Sequence, residues 1–160
     1  MIAFDRFDVK ILYELQRDAS MTLGVLSEAV NLSTSQCSRR ITRLQQEGVI
    51  LGYSLRLDPL ALNLKVTAFI FLSMDKGLLI SPHDAVAGLL AWDEVVECHT
   101  VTGSYDYILK VVVENLAALS AFLSDVVSPM HGVRDITTQV AMNILKSNGP
   151  LKLDMSAVTS

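Results

Sequence analysis

The chain has only two cysteines in 160 residues, Cys37 and Cys98. They lie far apart on apolar-patterned stretches and show no C-x-x-C spacing, which points to free thiols in a reducing compartment rather than a disulfide or a zinc site. There is no signal-peptide core: the first residues, M-I-A-F-D-R-F-D, carry charge at once. Apolar runs such as Val66–Leu72 are far shorter than a bilayer requires. A soluble cytoplasmic protein with no membrane contact is therefore expected. The chain has no Ser-His-Asp order, metal-ligand spacing, phosphate-binding loop or dinucleotide fingerprint, so no catalytic residue, metal or cofactor is expected. Internal repeats and low-complexity runs are also missing.

A net positive charge is lacking as well, and that bears directly on nucleic-acid binding. The balance is −4. Residues 1–60 nevertheless hold seven basic and seven acidic side chains, which leaves six basic and ten acidic residues to the remainder. The early part is neutral, and three of its arginines cluster at positions 39, 40 and 43. Local field decides groove binding more than the total does. Half of the residues are hydrophobic and mean hydropathy is +0.40, ample for packed cores.

The arginines fall in S-T-S-Q-C-S-R-R-I-T-R-L-Q-Q, Ser33 to Gln46. Ser33 with Gln36 fits a capping box. Cys37, Ile41 and Leu44 make one apolar stripe at helical spacing. No acid appears before Glu47. Upstream, Asp5 and Asp8 mark a helix start, and Phe4, Phe7, Ile11, Leu12 and Leu15 repeat to about Gln16. Thr22 opens a second helix with Leu23, Leu26, Ala29 and Val30 inward. Asn31 supplies a residue that tolerates a left-handed turn. Two short helices, a tight turn and a capped cationic helix make a helix-turn-helix. Thr34, Ser35, Gln36, Ser38, Arg39, Arg40 and Arg43 are its candidate DNA contacts, the arginines toward phosphate or guanine. Arg43 has a second option, an i+4 pair with Glu47. Gly48 ends the helix, and Ile50–Leu57 reads as an extended arm stopped at Asp58-Pro59.

From Lys65 the period becomes strand-like. Strands are expected at Val66–Met74, Val95–Thr102, Tyr105–Glu114 and Asp135–Leu145, with helices at Pro82–Trp92 (Ala85, Leu89 and Leu90 inward) and Leu116–Val127. Gly103-Ser104 suits a two-residue II′ hairpin. The order β-α-β-β-α-β is ferredoxin-like. The class is thus α+β: a winged-helix-like helix-turn-helix domain (1–53), a linker (54–64), a ferredoxin-like domain (65–146) and a tail (147–160), read as loose or borrowed by a partner. Val66, Ala68, Ile70 and Leu72 alternate with Phe69 and Phe71, so both sheet faces are apolar. Two helices hide one face, and a second copy is expected on the other.

These stretches resemble the Lrp/AsnC (leucine-responsive, feast/famine) family of transcription regulators. The likeness is densest in D-R-F-D-V-K-I-L-Y-E-L-Q-R-D-A, in L-S-E-A-V-N-L-S, in R-I-T-R-L-Q-Q-E-G-V-I-L-G-Y, and in E-C-H-T-V-T-G-S-Y-D-Y-I-L-K from Glu97 to Lys110. The resemblance implies a sequence-specific regulator of double-stranded DNA. It also implies homodimers that assemble further, to octamers, with a small effector, usually an amino acid, held between dimers. Positions matching the effector site are Thr100, Thr102, Gly103, Ser104, Tyr105, Asp106, Gln139, Val140 and Ala141. A hairpin glycine lets backbone amides approach a carboxylate, and Asp106 suits an α-ammonium. On the residues alone, Gly103 only makes the turn and Asp106 is a hairpin charge. The chain departs from the family at Ser33-Thr34-Ser35-Gln36, where relatives often carry proline, so base-reading positions are not carried over there. A tetrapyrrole (siroheme-type) decarboxylase on the same domain pair is the alternative, with His83, His99 and His131 as its acid–base candidates. Cys98 and His99 point to opposite faces of a strand and cannot share a metal.

Overall fold

A computed structural model describes residues 4–75 and 82–154, apart from the side chains of Pro82, His83 and Ala85. The chain divides into two units, one made of residues 1–55 with 146–160 and the other of residues 56–145.

In the first unit, α1 (Arg6–Arg17) starts on a reciprocal cap. The Asp5 carboxylate accepts from the Phe7 and Asp8 amides at 2.9 Å each, and Asp8 accepts from the Asp5 amide at 3.1 Å. Helix α2 (Leu23–Val30) begins at Thr22 and ends on Asn31, which adopts φ 55, ψ 50, the left-handed conformation foreseen for it. Helix α3 (Thr34–Gln46) opens with the expected box: Ser33 Oγ accepts from the Gln36 amide at 3.2 Å, and Gln36 Oε1 accepts from the Ser33 amide at 3.0 Å.

Ile11, Leu26, Val30, Cys37 and Leu44 are buried together, with Leu12, Leu15 and Ile41 packed against them. The inner edge of α2 is narrower than the sequence suggests. Leu23 is 42% exposed and Ala29 is exposed, leaving Leu26 and Val30, one turn apart, as the buried pair. Ala29 lies about 100° round the helix from Val30, off that stripe. Phe4 also stays outside the core, at 42% exposure. The tail is attached to this unit. Leu151 donates its amide to Gln16 Oε1 at 2.7 Å and accepts from Gln16 Nε2 at 3.5 Å.

The second unit is a four-stranded antiparallel sheet in the order β2-β3-β1-β4: β1 (Val66–Met74), β2 (Val95–Thr100), β3 (Tyr107–Val113) and β4 (Val133–Val140). Helix α4 (Pro82–Leu90) joins β1 to β2. Helix α5 (Leu116–Phe122), capped by Asn115 and continued by a π-helical turn over Leu123–Val127, joins β3 to β4. Ala68, Ile70 and Leu72 of β1 and Tyr107, Leu109, Val111 and Val113 of β3 are buried with Val86, Leu89, Leu119, Phe122 and Val127 of the helices. Both helices therefore cover one face. The opposite face carries Phe69, Phe71, Ile108 and Val112, all half-buried, together with a Lys110–Glu97 ion pair at 2.7 Å.

Several element ends differ from the sequence reading. Helix α4 stops at Leu90, which is 44% exposed rather than inward, and a turn follows in which Trp92 donates to the Leu89 carbonyl at 3.2 Å. The Ala85 side chain lies outside the described residues. The β2–β3 strands close earlier, at Thr100 and Tyr107, so residues 101–106 form a longer loop than a two-residue hairpin. Strand β4 ends at Val140 rather than Leu145 because its partner β1 starts at Val66. The Ala141 amide makes a last bond to the Thr67 carbonyl at 2.9 Å, after which Met142, Ile144 and Leu145 are exposed.

Between the units, residues 51–57 are extended, with no ladder among the described residues; Leu51, Tyr53, Leu55 and Leu57 are exposed. Asp58 then caps a compact turn by accepting from the Leu60 amide at 3.0 Å, and Asn63 takes a left-handed φ of 62°.

Candidate nucleic-acid interface and effector site

Helix α3 buries Cys37 and Leu44 and turns the opposite face outward. At 100° per residue that face is centred on Ser35, Arg39, Thr42 and Gln46, all exposed. Thr34 and Gln36 are exposed at the amino-terminal end, and Ser38 is half-buried at the flank. Thr42 and Gln46 join the candidate contacts here, and the Cys37–Ile41–Leu44 stripe in the sequence already places them on the opposite face.

The three arginines separate. Arg39 is exposed and has no ion-pair partner among the described residues. Arg40 places Nη1 2.7 Å from Asp5 Oδ2 and 2.7 Å from Asp8 Oδ1, with its guanidinium 5.4 Å from the Phe7 ring centre. Arg43 places Nη2 2.5 Å from Asp8 Oδ2, while its Nε stands 3.9 Å from Glu47, a long version of the i+4 pair. The Asp8 side chain is only 1% exposed. Partial burial of Arg40 works against its charge, but hydrogen bonds to Asp8 and Asp5 outweigh this and raise its pKa. Desolvation likewise raises the Asp5 carboxyl, and the Asp8 amide with Arg40 more than reverses it, leaving Asp5 below the usual carboxylate range. Asp5 and Asp8 read from sequence as helix-start residues alone; only packing of α1 near α3 gives them this second task.

The loop 101–106 is fastened to the sheet at several points. Gly103 holds φ 120°, a conformation that disfavours side-chain-bearing residues, although a Cβ there meets nothing within 4 Å. The Ser73 hydroxyl, buried on β1, donates to the Ser104 carbonyl at 3.2 Å. Tyr105 stacks at 5.1 Å on Phe71 and reaches Thr137 Oγ1 at 3.4 Å. Asp106 is not a free hairpin charge: its Oδ2 accepts from the Met74 amide at 2.7 Å, and its own amide donates to the Leu72 carbonyl at 2.8 Å. Thr102 and Ser104 remain exposed.

The strand candidates are not brought together within one copy. Thr100 is on β2 opposite Tyr107, which in turn faces Leu72; Gln139 is on β4 opposite Phe69. Paired residues share a face, so Thr100 belongs to the helix-covered face and Gln139 to the open one. Three strand spacings separate the two edges, about 14 Å. Val140 shares the face of Ala68, and Ala141 continues past it. Of the candidates, the loop, through Tyr105 and Thr137, and Ala141, bonded to Thr67, lie on the same face as Gln139.

Of the histidines, His99 is 63% exposed and 3.5 Å from Glu97, and His131 is exposed; the His83 side chain lies outside the described residues. Lys110, aided by His99, outweighs the opposing effect of burial and leaves Glu97 with a lowered pKa. Burial raises both thiols, Cys37 and Cys98. Among the described residues no group of three or more His, Cys, Asp or Glu side chains is placed to hold a metal, and no helix is long and apolar enough to cross a membrane.

Residues 67–151 match the Lrp/AsnC ligand binding domain, and residues 4–50 match a winged helix-turn-helix DNA-binding domain. The chain belongs to the Lrp/AsnC family. The leucine-responsive regulatory protein of Haemophilus influenzae is 34% identical over 94% of this chain and 91% of its own length. That of Escherichia coli K12 is 33% identical over 92% and 90%. A transcriptional regulator from Neisseria meningitidis, solved in complex with L-Met, superposes with a TM-score of 0.89 at 33% identity, covering 95% of this chain and 98% of the other. An AsnC family regulator from Agrobacterium tumefaciens gives 0.87 at 34% identity over 96% and 99%. This Lrp/AsnC chain is thus an α+β transcription regulator with a DNA-binding and a ligand-binding domain, as its sequence led us to expect. The decarboxylase alternative finds no support among these relatives.

Proposed function

We propose that this regulator acts as a homo-oligomer, with α3 entering the DNA groove and an amino acid or related small molecule held by residues from more than one copy. The observation that carries the assembly is the separation of Thr100 from Gln139. An amino acid spans far less than 14 Å, so both positions can touch one effector only if a second copy supplies one of them. The half-buried apolar face around Phe69, Phe71, Ile108 and Val112 supports two-fold pairing of sheets. Further association of dimers, to an octamer, then creates edges where the 101–106 loop of one dimer meets strands of another. Effector binding biases one packing of dimers and so changes the spacing of recognition helices, which half-sites about 34 Å apart register directly.

On the DNA side, Thr34, Ser35, Gln36, Ser38 and Arg39 supply the contacts, joined by Thr42 and Gln46, with Arg40 and Arg43 behind them. On the effector side, Thr102, Gly103 and Ser104 offer backbone amides to a carboxylate, while Thr100, Gln139, Val140 and Ala141 line the site from the strands. The L-Met bound to the Neisseria regulator and the leucine response in the names of the relatives support an apolar L-amino acid as the first class to test. A thermal-shift screen of the full chain against the twenty amino acids tests this, because a ligand bound only by the folded state raises Tm. A rise with one apolar amino acid, accompanied by a change in particle mass in light scattering, supports the reading. No shift with any of them removes the effector half.

A further inference from the structure

The sequence puts three arginines on α3, but the structure leaves the helix much less cationic than that count suggests. Both oxygens of Asp8 are occupied, Oδ1 by Arg40 and Oδ2 by Arg43 and the Asp5 amide. Asp5 adds a second carboxylate on Arg40, and the Phe7 ring lies beneath that guanidinium. Two acids and two bases cancel, and Glu47 stands near the end of the set. The Asp8 carboxylate is itself fixed by the backbone of α1, since it forms half of that helix's cap. Arg40 and Arg43 are three residues apart on one side of α3, whereas Arg39 lies about 100° round from Arg40, on the exposed face.

We propose that Asp8 is a positioning residue for DNA binding: it withdraws Arg40 and Arg43 from the contacting set, locks α3 to α1 and leaves Arg39 as the arginine through which α3 meets phosphate. This rests on the reading that α3 contacts DNA. Arg40 must break two short bonds and Arg43 one before either reaches a phosphate, and no counterion is released from DNA by a cation already neutralised by a carboxylate.

The test is the slope of log binding constant against log salt for the full-length protein, on a duplex of the chain's own upstream region and on calf-thymus DNA. This slope counts phosphates neutralised, and a purely structural loss of stability does not move it. Arg39→Gln is expected to lower its magnitude by about 0.9 for each bound α3. Arg40→Gln and Arg43→Gln are expected to keep the wild-type slope while lowering Tm. Asp8→Asn, if folded by circular dichroism, is expected to steepen the slope as Arg43 loses its close carboxylate and Arg40 keeps only Asp5. If it does not fold, the comparison of Arg39→Gln with Arg40→Gln decides alone. A fall in slope with Arg40→Gln or Arg43→Gln equal to that of Arg39→Gln overturns the proposal, as does a folded Asp8→Asn with an unchanged slope. Failure of the wild type to bind either DNA instead removes the α3 reading itself, and the proposal with it.

Discussion

Thr100 and Gln139 occupy opposite edges and opposite faces of one four-stranded sheet, although the sequence resemblance implies one effector site for both. No side-chain rotation closes such a gap, so under the proposed effector site a neighbouring copy supplies one of the two positions. The first prediction follows from the open sheet face. Ile108→Asp puts a charge where Phe71 and its neighbours await a partner, and light scattering is expected to give the mass of one chain, 17.5 kDa. The amino-acid thermal shift is expected to vanish with it. An Ile108→Asp protein of wild-type mass contradicts the assignment of that face.

Asp8 and Arg40 are expected to be energetically coupled. Removing the buried carboxylate costs half of a helix cap and leaves Arg43 without its close partner and Arg40 with Asp5 alone, so Asp8→Ala is expected to lose about 2–3 kcal/mol in urea unfolding. Arg40→Ala, whose side chain is only 26% exposed, is expected to lose about 1–2 kcal/mol. The double variant is expected to lose less than the sum, by about 1 kcal/mol. Additive losses contradict the network.

Asp106 is expected to matter through Met74. Asp106→Ala leaves the Met74 amide without its acceptor at the end of the β1–β3 ladder, a cost of about 1–2 kcal/mol. Asp106→Asn keeps an acceptor oxygen and is expected to lose less than half of that. Equal losses from both indicate that charge, not the amide contact, sets the loop.

Acid sensitivity has a defined sign. Asp5 and Glu97 both have folded-state values below their reference values of 3.8 and 4.5. A depressed carboxylate contributes stability that is fully present above the unfolded value and lost as pH falls through the folded one. Stability is therefore expected to be flat from pH 7 to about 5 and to fall below about pH 4. Both groups are largely exposed, so each contribution is small and screened by salt. Glu97→Gln is expected to shallow the fall, measured as Tm against pH; a steeper fall contradicts the Lys110 pairing.

What was legible in the sequence was what local chemistry dictates. The Ser33–Gln36 box, the left-handed Asn31 and the limits of β1 each follow from neighbouring residues. The β2–β3 loop was misread because its length is decided by Asp106 capping Met74, thirty-two residues earlier in the chain. Likewise, the end of β4 is set by where β1 begins. Asp8 looked like a helix cap, which it is; its grip on Arg40 and Arg43 appears only once α1 and α3 are packed. Thr100 and Gln139 were grouped by resemblance, and only the strand order shows that one copy cannot unite them.

The central claim, DNA reading by α3 under effector control, is tested most directly by fluorescence anisotropy of the full chain on its own upstream duplex, with and without the amino acid that raises Tm. The account predicts tighter binding to that duplex than to calf-thymus DNA, a several-fold change in affinity at saturating effector, and weaker binding to both DNAs in Arg39→Gln. Equal affinity for both DNAs, unmoved by the effector and by Arg39→Gln, contradicts it.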